Sequence, residues 1–286
     1  GLGLMGVHDV LHLLNIPFDS DESVKINDKI FEFYSYRAIQ ASSALAKERG
    51  AYESYAGSLW DQNIFPIDSW GNLMDYRGVK TDPVPEDDHS SIRSHVKEHG
   101  MRNSNVMAIA PTATIGYING VEQSIEPNFS VLFVYENKSG NFYITNEHFV
   151  KDMKKAGLWN PEVSSLIKSV DGDLSLLNGD IPPELKEKYK TAFDRDMFKL
   201  IECNASRQKW MDQSISFNLY NKSTSLKYLN DLYMACWEAG LKTTYYLRNR
   251  AASKVEKSTN EDAPENEPSA CSLEAMANGG SCESCQ

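Results

Sequence analysis

Two cysteines in the sequence SCESCQ, Cys282 and Cys285, have the spacing of a redox dithiol. A Cys-x-x-Cys pair can close into a small disulfide ring and exchange it with other thiols. A zinc site would need four ligands, and the surrounding segment offers only Cys271 besides the pair and no histidine. Two interpretations therefore remain: a redox dithiol on a tether, and a pair without function, because exposed tails tolerate most residues.

Two adjacent tyrosines, Tyr245 and Tyr246, lie in the sequence KTTYYLR, which is rich in strand-forming residues. Neighbouring side chains of a regular strand point to opposite faces, so the simpler interpretation is one aromatic ring packed on each side. Tyrosine can also be oxidised to a radical and pass it on, so the same pair could relay an electron. The spacing alone leaves both interpretations open.

A short apolar segment, NVMAIA at 105–110, runs directly into the sequence PTATIG. Its composition is that of a buried strand. The residues Pro111, Thr112, Ala113 and Thr114 place hydroxyls and free backbone N–H groups where a helix could begin, and this combination suits a phosphate group. The segment has no lysine of the P-loop type, so an ordinary N-capped strand–helix turn is the simpler alternative.

Three glycines in GLGLMG, Gly1, Gly3 and Gly6, match the G-x-G-x-x-G spacing of dinucleotide-binding loops. That motif requires a strand before it and an acidic residue about 20 positions later. We expect no strand before the glycines, and Asp21 and Glu22 belong to a polar helix start. We therefore predict a helix start with small residues for close packing.

Helices and short apolar strands alternate along the chain and must position these residues. Apolar periodicity predicts helices over 2–14, 24–48, the segment SSIRSHVKEHG closed by Gly100, 145–156, 183–211 and 225–239, the last capped by Ser223 or Thr224. Strands are predicted over 105–110, 130–136, the segment GNFYITN, 214–220 and 242–248, and residues 51–87 are predicted to be turn-rich. This alternation is typical of an α/β sheet or barrel. Cys203 and Cys236 lie in amphipathic helices and are predicted to be core residues.

The composition limits the partners and the compartment. A formal net charge of −11 argues against a nucleic-acid polymer as partner, since such binding needs dense Lys and Arg. No apolar run approaches the roughly 18 residues of a membrane span, so no membrane is expected. An odd count of five cysteines favours a reducing cytoplasm. Residues 253–286 have almost no large apolar side chains and are predicted to form a disordered tether that could extend about 100 Å.

Six segments in the same order resemble the C-terminal part of the large, catalytic subunit of aerobic ribonucleotide reductases. They are GLGLMGVHDVLHLLNIPFDSDES, ALAKERGAYESYAGS, NVMAIAPTATIGYINGVEQSIEPNFS, DQSISFNLY, LKTTYYLRNRAASKVEKST and CESCQ. The resemblance covers nearly the whole chain. It implies the C-terminal portion of a ten-stranded α/β barrel over 1–252, followed by a flexible redox tail over 253–286.

The resemblance also implies a function for each of these motifs. The family reduces ribonucleoside diphosphates to deoxyribonucleotides with a cysteine radical on a finger loop. The loop that holds the substrate phosphates would consist of Pro111, Thr112, Ala113, Thr114 and Ile115. Tyr245 and Tyr246 would relay the radical from a separate small subunit, and Cys282 and Cys285 would re-reduce the active-site disulfide and be reduced by thioredoxin or glutaredoxin. No metal or cofactor is expected in this chain, whereas an iron or manganese dimetal radical centre is expected in the small subunit.

The family's radical cysteine and its two active-site cysteines lie upstream of the GLG block and are not in this sequence. We therefore expect a partner polypeptide, the N-terminal half of the large subunit, as in a split subunit. A proteolytic fragment or a truncated chain is the alternative. Two functional alternatives remain: a fragment of a cobalamin-dependent reductase, which has less need of a tyrosine relay, and a non-catalytic nucleotide-binding or assembly module of the same fold.

Overall fold

The computed structural model describes residues 1–79, 85, 87–137, 140–177, 179 and 181–249, with backbone alone for 133–137 and 140–143. Within these residues there are ten α-helices and four strands. The helices are α1 Val7–Leu14, α2 Asp21–Arg49, α3 Pro66–Arg77, α4 Ser90–His99, α5 Ala113–Asn119, α6 Glu147–Lys155, α7 Pro161–Ser169, α8 Pro183–Lys188, α9 Met197–Gln208 and α10 Leu226–Glu238. The strands are β1 Leu132–Asn137, β2 Gly140–Thr145, β3 Leu219–Asn221 and β4 Leu247–Asn249. The predicted tail, 253–286, lies outside the described residues.

The first two segments of a parallel sheet are the chain around Leu2 and residues 106–109. The amide of Leu2 donates to the carbonyl of Val106 at 2.7 Å, and the amide of Ala108 donates to the carbonyl of Leu2 at 2.8 Å. Leu2 thus forms a parallel bridge with Met107. The predicted strand over 105–110 is therefore extended and paired, although only over single bridges.

Two further segments continue the sheet in chain order. Ile109 forms a parallel bridge with Ile215, and β3 pairs in parallel with β4, with Leu219 opposite Leu247. Parallel neighbours need long crossover connections, and here helices supply them: α1–α4, then α5–α9, then α10. This arrangement agrees with the predicted α/β class. The other sheet is the antiparallel hairpin β1–β2, which lies between α5 and α6 in the chain.

The predicted helix over 2–14 is shorter in the structure, where α1 begins at Val7. Gly6 has φ 75°, a left-handed conformation that ends the extended segment and starts the helix. A Cβ at Gly3 would lie only 2.7 Å from the carbonyl oxygen of Ala108. The predicted close packing is confirmed at Gly1 and Gly3, but these glycines lie in an extended segment paired with residues 106–109 rather than at a helix start.

Other boundaries also differ from the prediction. The predicted helix over 183–211 is divided into α8, a 3₁₀ turn at Ala192–Asp194 and α9, whose start is capped by Asp196 accepting from the amide of Phe198 at 2.9 Å. Helix α10 is capped by Ser225, not by the predicted Ser223 or Thr224. The segment predicted to be turn-rich contains α3, and α7 was not predicted.

Helix α2 packs against both α4 and α9 and also contacts the sheet. Its buried face carries Phe31 and Ile39, which join Met107, Ile109 and Ile215 in one apolar cluster. A second cluster, built from α1, α9, α10 and β3, contains Phe217 and Leu219 of the sheet. A third cluster lies under the hairpin and holds α6 and α7. None of the described helices is long and apolar enough to cross a membrane.

Two histidines of α1, His8 and His12, are buried polar residues of this framework, with ring centroids 3.9 Å apart. The amide of Asn128 donates to Nδ1 of His8 at 2.8 Å, and Nε2 of His12 lies 3.1 Å from the side-chain oxygen of Asn128. Burial lowers the pKa of His8 and lowers the pKa of His12 to about 3. Both rings are therefore neutral in the folded protein near pH 7.

Candidate functional site

The predicted phosphate loop lies where the segment 106–109 leaves the sheet at its carboxyl end. Pro111, Ala113, Thr114 and Ile115 are exposed, and Thr112 is half-buried. Helix α5 starts at Ala113, and no side chain caps it. The first N–H groups of a helix have no partner within the helix, so those of α5 are donors in an exposed loop that also carries the Thr114 hydroxyl.

Thr112 does not act as the ordinary N-cap that was the simpler alternative. Its backbone has φ 49°, a left-handed conformation that costs a β-branched residue free energy. Its Oγ1 accepts a hydrogen bond from the amide of Ser124 at 2.8 Å. Ser124 is fully buried and also left-handed, with φ 51°. Thr112 therefore fixes the loop to the following segment rather than satisfying α5.

The two predicted tyrosines lie in direct contact with each other. The hydroxyl of Tyr245 donates to the hydroxyl of Tyr246 at 3.1 Å, and the ring centroids are 4.0 Å apart. The rings are 44% and 51% exposed, so the pair is open to a partner. The interpretation that places one ring on each face of a strand is wrong, because the two side chains contact each other.

The backbone around the pair explains this orientation. The amide of Tyr245 donates to the carbonyl of Phe217 at 2.8 Å, as in a parallel sheet. The amide of Tyr246 instead donates to the side-chain oxygen of Asn218 at 3.2 Å. The amide of Leu219 donates to the carbonyl of Tyr246 at 2.9 Å rather than to that of Tyr245, so the two tyrosines occupy the place of one residue and the alternation of a regular strand is interrupted at the pair.

A cation lies over one of the rings. The guanidinium of Arg248 is 4.7 Å from the centre of the Tyr246 ring, and the hydrogen bond to Tyr246 raises the pKa of the Tyr245 phenol. A positive charge over a ring face interacts favourably with its electrons. It therefore disfavours loss of an electron from Tyr246 unless the phenol proton leaves as well.

The tyrosine pair and the phosphate loop lie at the same end of the sheet. Ile109 pairs with Ile215, and Tyr245 pairs with Phe217, two residues farther toward the carboxyl end. Two strand residues advance by roughly 7 Å. Pro111 lies the same two residues beyond Ile109 on the neighbouring segment, so Pro111 and Tyr245 are at similar heights along the sheet. The structure therefore brings the phosphate loop and the tyrosine pair to the carboxyl ends of the strands, where α/β proteins bind ligands.

Glu126 is a buried acid at this edge that the sequence interpretation missed. Its side chain is 3% exposed and accepts hydrogen bonds from the amide of Asn218 and the hydroxyl of Tyr220, each at 3.0 Å. Burial raises its pKa to about 7. A glutamate between apolar residues, as in SIEP, is a sequence signal of a buried acid. The hydrogen-bond partners of Glu126, however, are more than 90 residues away in sequence.

The cysteines fall into two groups. Cys203 and Cys236 are buried and unpaired, and burial raises the pKa of both thiols, to about 12 for Cys236. Thiols that resist ionisation are poor nucleophiles, so the predicted core role is confirmed. Cys282 and Cys285 lie outside the described residues, and their thiol-exchange role stays a prediction.

The described residues line a larger and a smaller cavity. A cavity of about 670 Å³ is lined by Trp60, Trp70 and Trp237, together with Asp212 and Lys242. Asp212 and Lys242 lie at the starts of two sheet segments. This cavity therefore lies at the amino ends of the strands, away from the phosphate loop. A smaller cavity of about 260 Å³ lies beside α5 and is lined by Asp9, Glu122 and His148 among others.

Within the described part of the chain, one group of side chains has the spacing of a metal site: Glu32, Asp87 and His89. Oε1 of Glu32 lies 2.8 Å from Nε2 of His89 and accepts from the amide of Asp87 at 3.1 Å. These hydrogen bonds account for the cluster, and we assign no metal to it.

Comparison with known proteins identifies the family. The family profile described as "Ribonucleotide reductase, barrel domain" matches residues 1–247. The chain belongs to the ribonucleotide reductase barrel family. The expected α/β barrel class is thereby confirmed.

Individual relatives agree with this assignment. The chain is 48% identical over 261 residues to the ribonucleoside-diphosphate reductase subunit alpha of Chlamydia pneumoniae, covering 90% of this chain and 25% of the relative. It is 34% identical to the large subunit of Plasmodium falciparum, covering 91% and 31%. Among solved structures, the class Id ribonucleotide reductase alpha subunit of Actinobacillus ureae matches with a TM-score of 0.65 and 29% identity, covering 88% of this chain and 39% of that one. The chain thus spans about a quarter to a third of the curated relatives it matches.

Proposed function

We propose that the chain is the barrel portion of the large subunit of a ribonucleoside-diphosphate reductase, and that it provides a substrate-phosphate loop, a tyrosine radical relay and a tail dithiol. The observation that carries this proposal is the 3.1 Å contact between the Tyr245 and Tyr246 hydroxyls. The two half-exposed phenols hydrogen-bond to each other at the same end of the sheet as the exposed phosphate loop. This arrangement suits radical transfer better than core packing.

The phosphate loop comprises Pro111, Thr112, Ala113, Thr114 and Ile115. Its helix N–H groups and the Thr114 hydroxyl are donors for the diphosphate oxygens of a ribonucleoside diphosphate. The loop is held in shape from below by the hydrogen bond from the Ser124 amide to Thr112. The two left-handed residues that it joins indicate a conformation fixed for binding.

The relay moves one electron and one proton at each step. An oxidant in the small subunit takes an electron and the phenol proton from Tyr246. The Tyr246 radical then takes an electron and a proton from Tyr245, along the hydrogen bond that Tyr245 donates. Tyr246 is restored as a phenol and the radical resides on Tyr245, from which it passes to a cysteine. That cysteine belongs to the rest of the large subunit, on the same or a separate polypeptide.

The remaining partners follow from the same reaction. Reduction of the ribose converts two thiols of the large subunit to a disulfide. Cys282 and Cys285 reduce it by exchange and are themselves reduced by thioredoxin or glutaredoxin in the cytoplasm. The metal that generates the radical, iron or manganese, belongs to the small subunit.

The proposal is tested with the complete large subunit that contains this chain, combined with its small subunit and a dithiol. We expect a ribonucleoside diphosphate to be converted to the deoxy form. Tyr245→Phe should lower turnover by about 100-fold or more, because phenylalanine cannot supply the phenol proton. The matched control is Tyr76→Phe on α3, whose ring is 89% exposed. Equal turnover of the two variants would overturn the proposal.

A further inference from the structure

We propose that Glu126 is a positioning residue that joins the phosphate-binding loop to the tyrosine pair through Asn218. This inference rests on the proposed function for the roles of the two ends, but the connection itself is a property of the described structure. In this proposal Glu126 neither binds phosphate nor carries the radical.

The first half of the connection runs from the loop to the carboxylate. Thr112 is fixed to Ser124 by the 2.8 Å hydrogen bond, and Ser124 is fully buried. Only Ile125, which is 1% exposed, separates Ser124 from Glu126. A displacement of the Glu126 side chain therefore reaches the phosphate loop through two packed residues, with no flexible linker between them.

The second half runs from the carboxylate to the tyrosines. Oε1 of Glu126 accepts from the amide of Asn218 at 3.0 Å, and the side-chain oxygen of Asn218 accepts from the amide of Tyr246 at 3.2 Å. This last bond holds the backbone of Tyr246 at the point where the alternation of the strand is interrupted. Glu126 thus fixes a residue that holds the pair in place.

The groups that face Glu126 control its charge. Oε2 accepts from the Tyr220 hydroxyl of β3, and positive charges approach from Arg207 of α9 and from Arg248 of β4. Burial outweighs these favourable partners and raises the pKa of the carboxyl to about 7. Above that pH the carboxylate accepts both hydrogen bonds. Below it, the carboxyl is neutral, so the hydrogen bonds from the Asn218 amide and the Tyr220 hydroxyl lose the strength that the negative charge gives them, and the connection loosens.

The first test measures the connection without using activity. In the complete large subunit, 4-fluorophenylalanine replaces Tyr246, and its ¹⁹F resonance is recorded from pH 5.5 to 9. This label has no titratable group, so a shift reports a neighbour. We expect one titration step near pH 7 that is absent in Glu126→Gln. Glutamine can still accept from the Asn218 amide, so the fold is retained.

Two further variants make the test specific. Glu122→Gln is the matched control, since burial also raises the pKa of Glu122 to about 7 and that residue lies four positions away. The step should persist in this variant. Tyr220→Phe removes a hydrogen bond that favours the ionised carboxylate, so the midpoint should move to higher pH. A step that survives Glu126→Gln, or a midpoint unmoved in Tyr220→Phe, overturns the inference.

The second test uses turnover in the assembled enzyme with native Tyr246. The rate should fall as the pH drops below about 7, and Glu126→Gln should remove this limb of the profile while Glu122→Gln retains it. A purely structural role would lower the rate equally at every pH. Absence of nucleotide reduction in the unsubstituted enzyme would overturn the proposed function, while the ¹⁹F result would still decide the connection.

Discussion

The hydroxyl oxygens of Tyr245 and Tyr246 lie 3.1 Å apart, although the two residues are consecutive in an extended segment. Consecutive side chains of a regular strand would diverge to opposite faces. They converge here because the amide of Tyr245 and the carbonyl of Tyr246 both bond to the neighbouring segment, at Phe217 and Leu219, so two residues occupy the place of one. The contact is therefore specified by tertiary structure, and it is short enough for an electron and a proton to move together.

The hydroxyl of Thr112 should be required for substrate affinity. Thr112→Val keeps the shape of the side chain and leaves the amide of Ser124, which is buried, without its acceptor. An unsatisfied buried donor costs about 1–3 kcal/mol, so the KM for the diphosphate should rise roughly tenfold. Steady-state kinetics of the assembled enzyme measures this. Thr112→Ser retains the acceptor and should stay close to the parent; a KM equally raised in both variants would contradict the assigned role.

The tail cysteines should be needed for cycling and not for the chemical step. With Cys282→Ser and Cys285→Ser together, thioredoxin-driven turnover should fall to one or a few turnovers per enzyme. Dithiothreitol is small enough to enter a closed site, so it should restore most of the activity. Product formation with each reductant is the measurement. Undiminished turnover with thioredoxin would show that the pair is not the shuttle.

His12 should make stability dependent on pH. Burial lowers its pKa to about 3, whereas an unfolded histidine titrates near 6.5. The unfolded state therefore binds the proton first, and the stabilising contribution is complete above about pH 6.5 and is lost as the pH falls below it. Between pH 7.5 and 5.5 the parent should lose about 1.4 kcal/mol relative to His12→Gln.

Calorimetric unfolding of the large subunit at pH 7.5, 6.5 and 5.5 compares the two proteins. The midpoint of the parent should fall faster with decreasing pH than that of His12→Gln. Parallel curves would show that His12 is not neutral in the folded state.

The sheet segments could be predicted from sequence because each is a short apolar run beside turn residues. Residues 105–110 and 214–220 are examples, and both are paired in the structure. Helix α3 was not predicted, because glycine and aspartate dilute the apolar pattern of PIDSWGNLMDYR. Its start signals were nevertheless present, since Pro66 occupies the first turn and Asp68 accepts from the amide of Phe65.

The site residues divide in the same way. The loop at Thr112 and the tyrosine pair are adjacent in sequence to strands, so local pattern indicates them. The burial of Glu126 could not be predicted, because Tyr220 and Arg207 approach it from distant segments. The orientation of Tyr245 and Tyr246 could not be predicted for the same reason, because it follows from their hydrogen bonds to Phe217, Asn218 and Leu219.

Radical transfer through the tyrosine pair is tested most directly by trapping the radical. An easily oxidised analogue, 3-aminotyrosine, replaces Tyr246 in the complete large subunit, with the same analogue at Tyr76 as control. After mixing with the small subunit and a ribonucleoside diphosphate, electron paramagnetic resonance is recorded. We predict an aminotyrosyl radical at position 246 that grows as the small-subunit radical decays, and none at position 76. No signal at 246 while the two subunits are bound would contradict the relay.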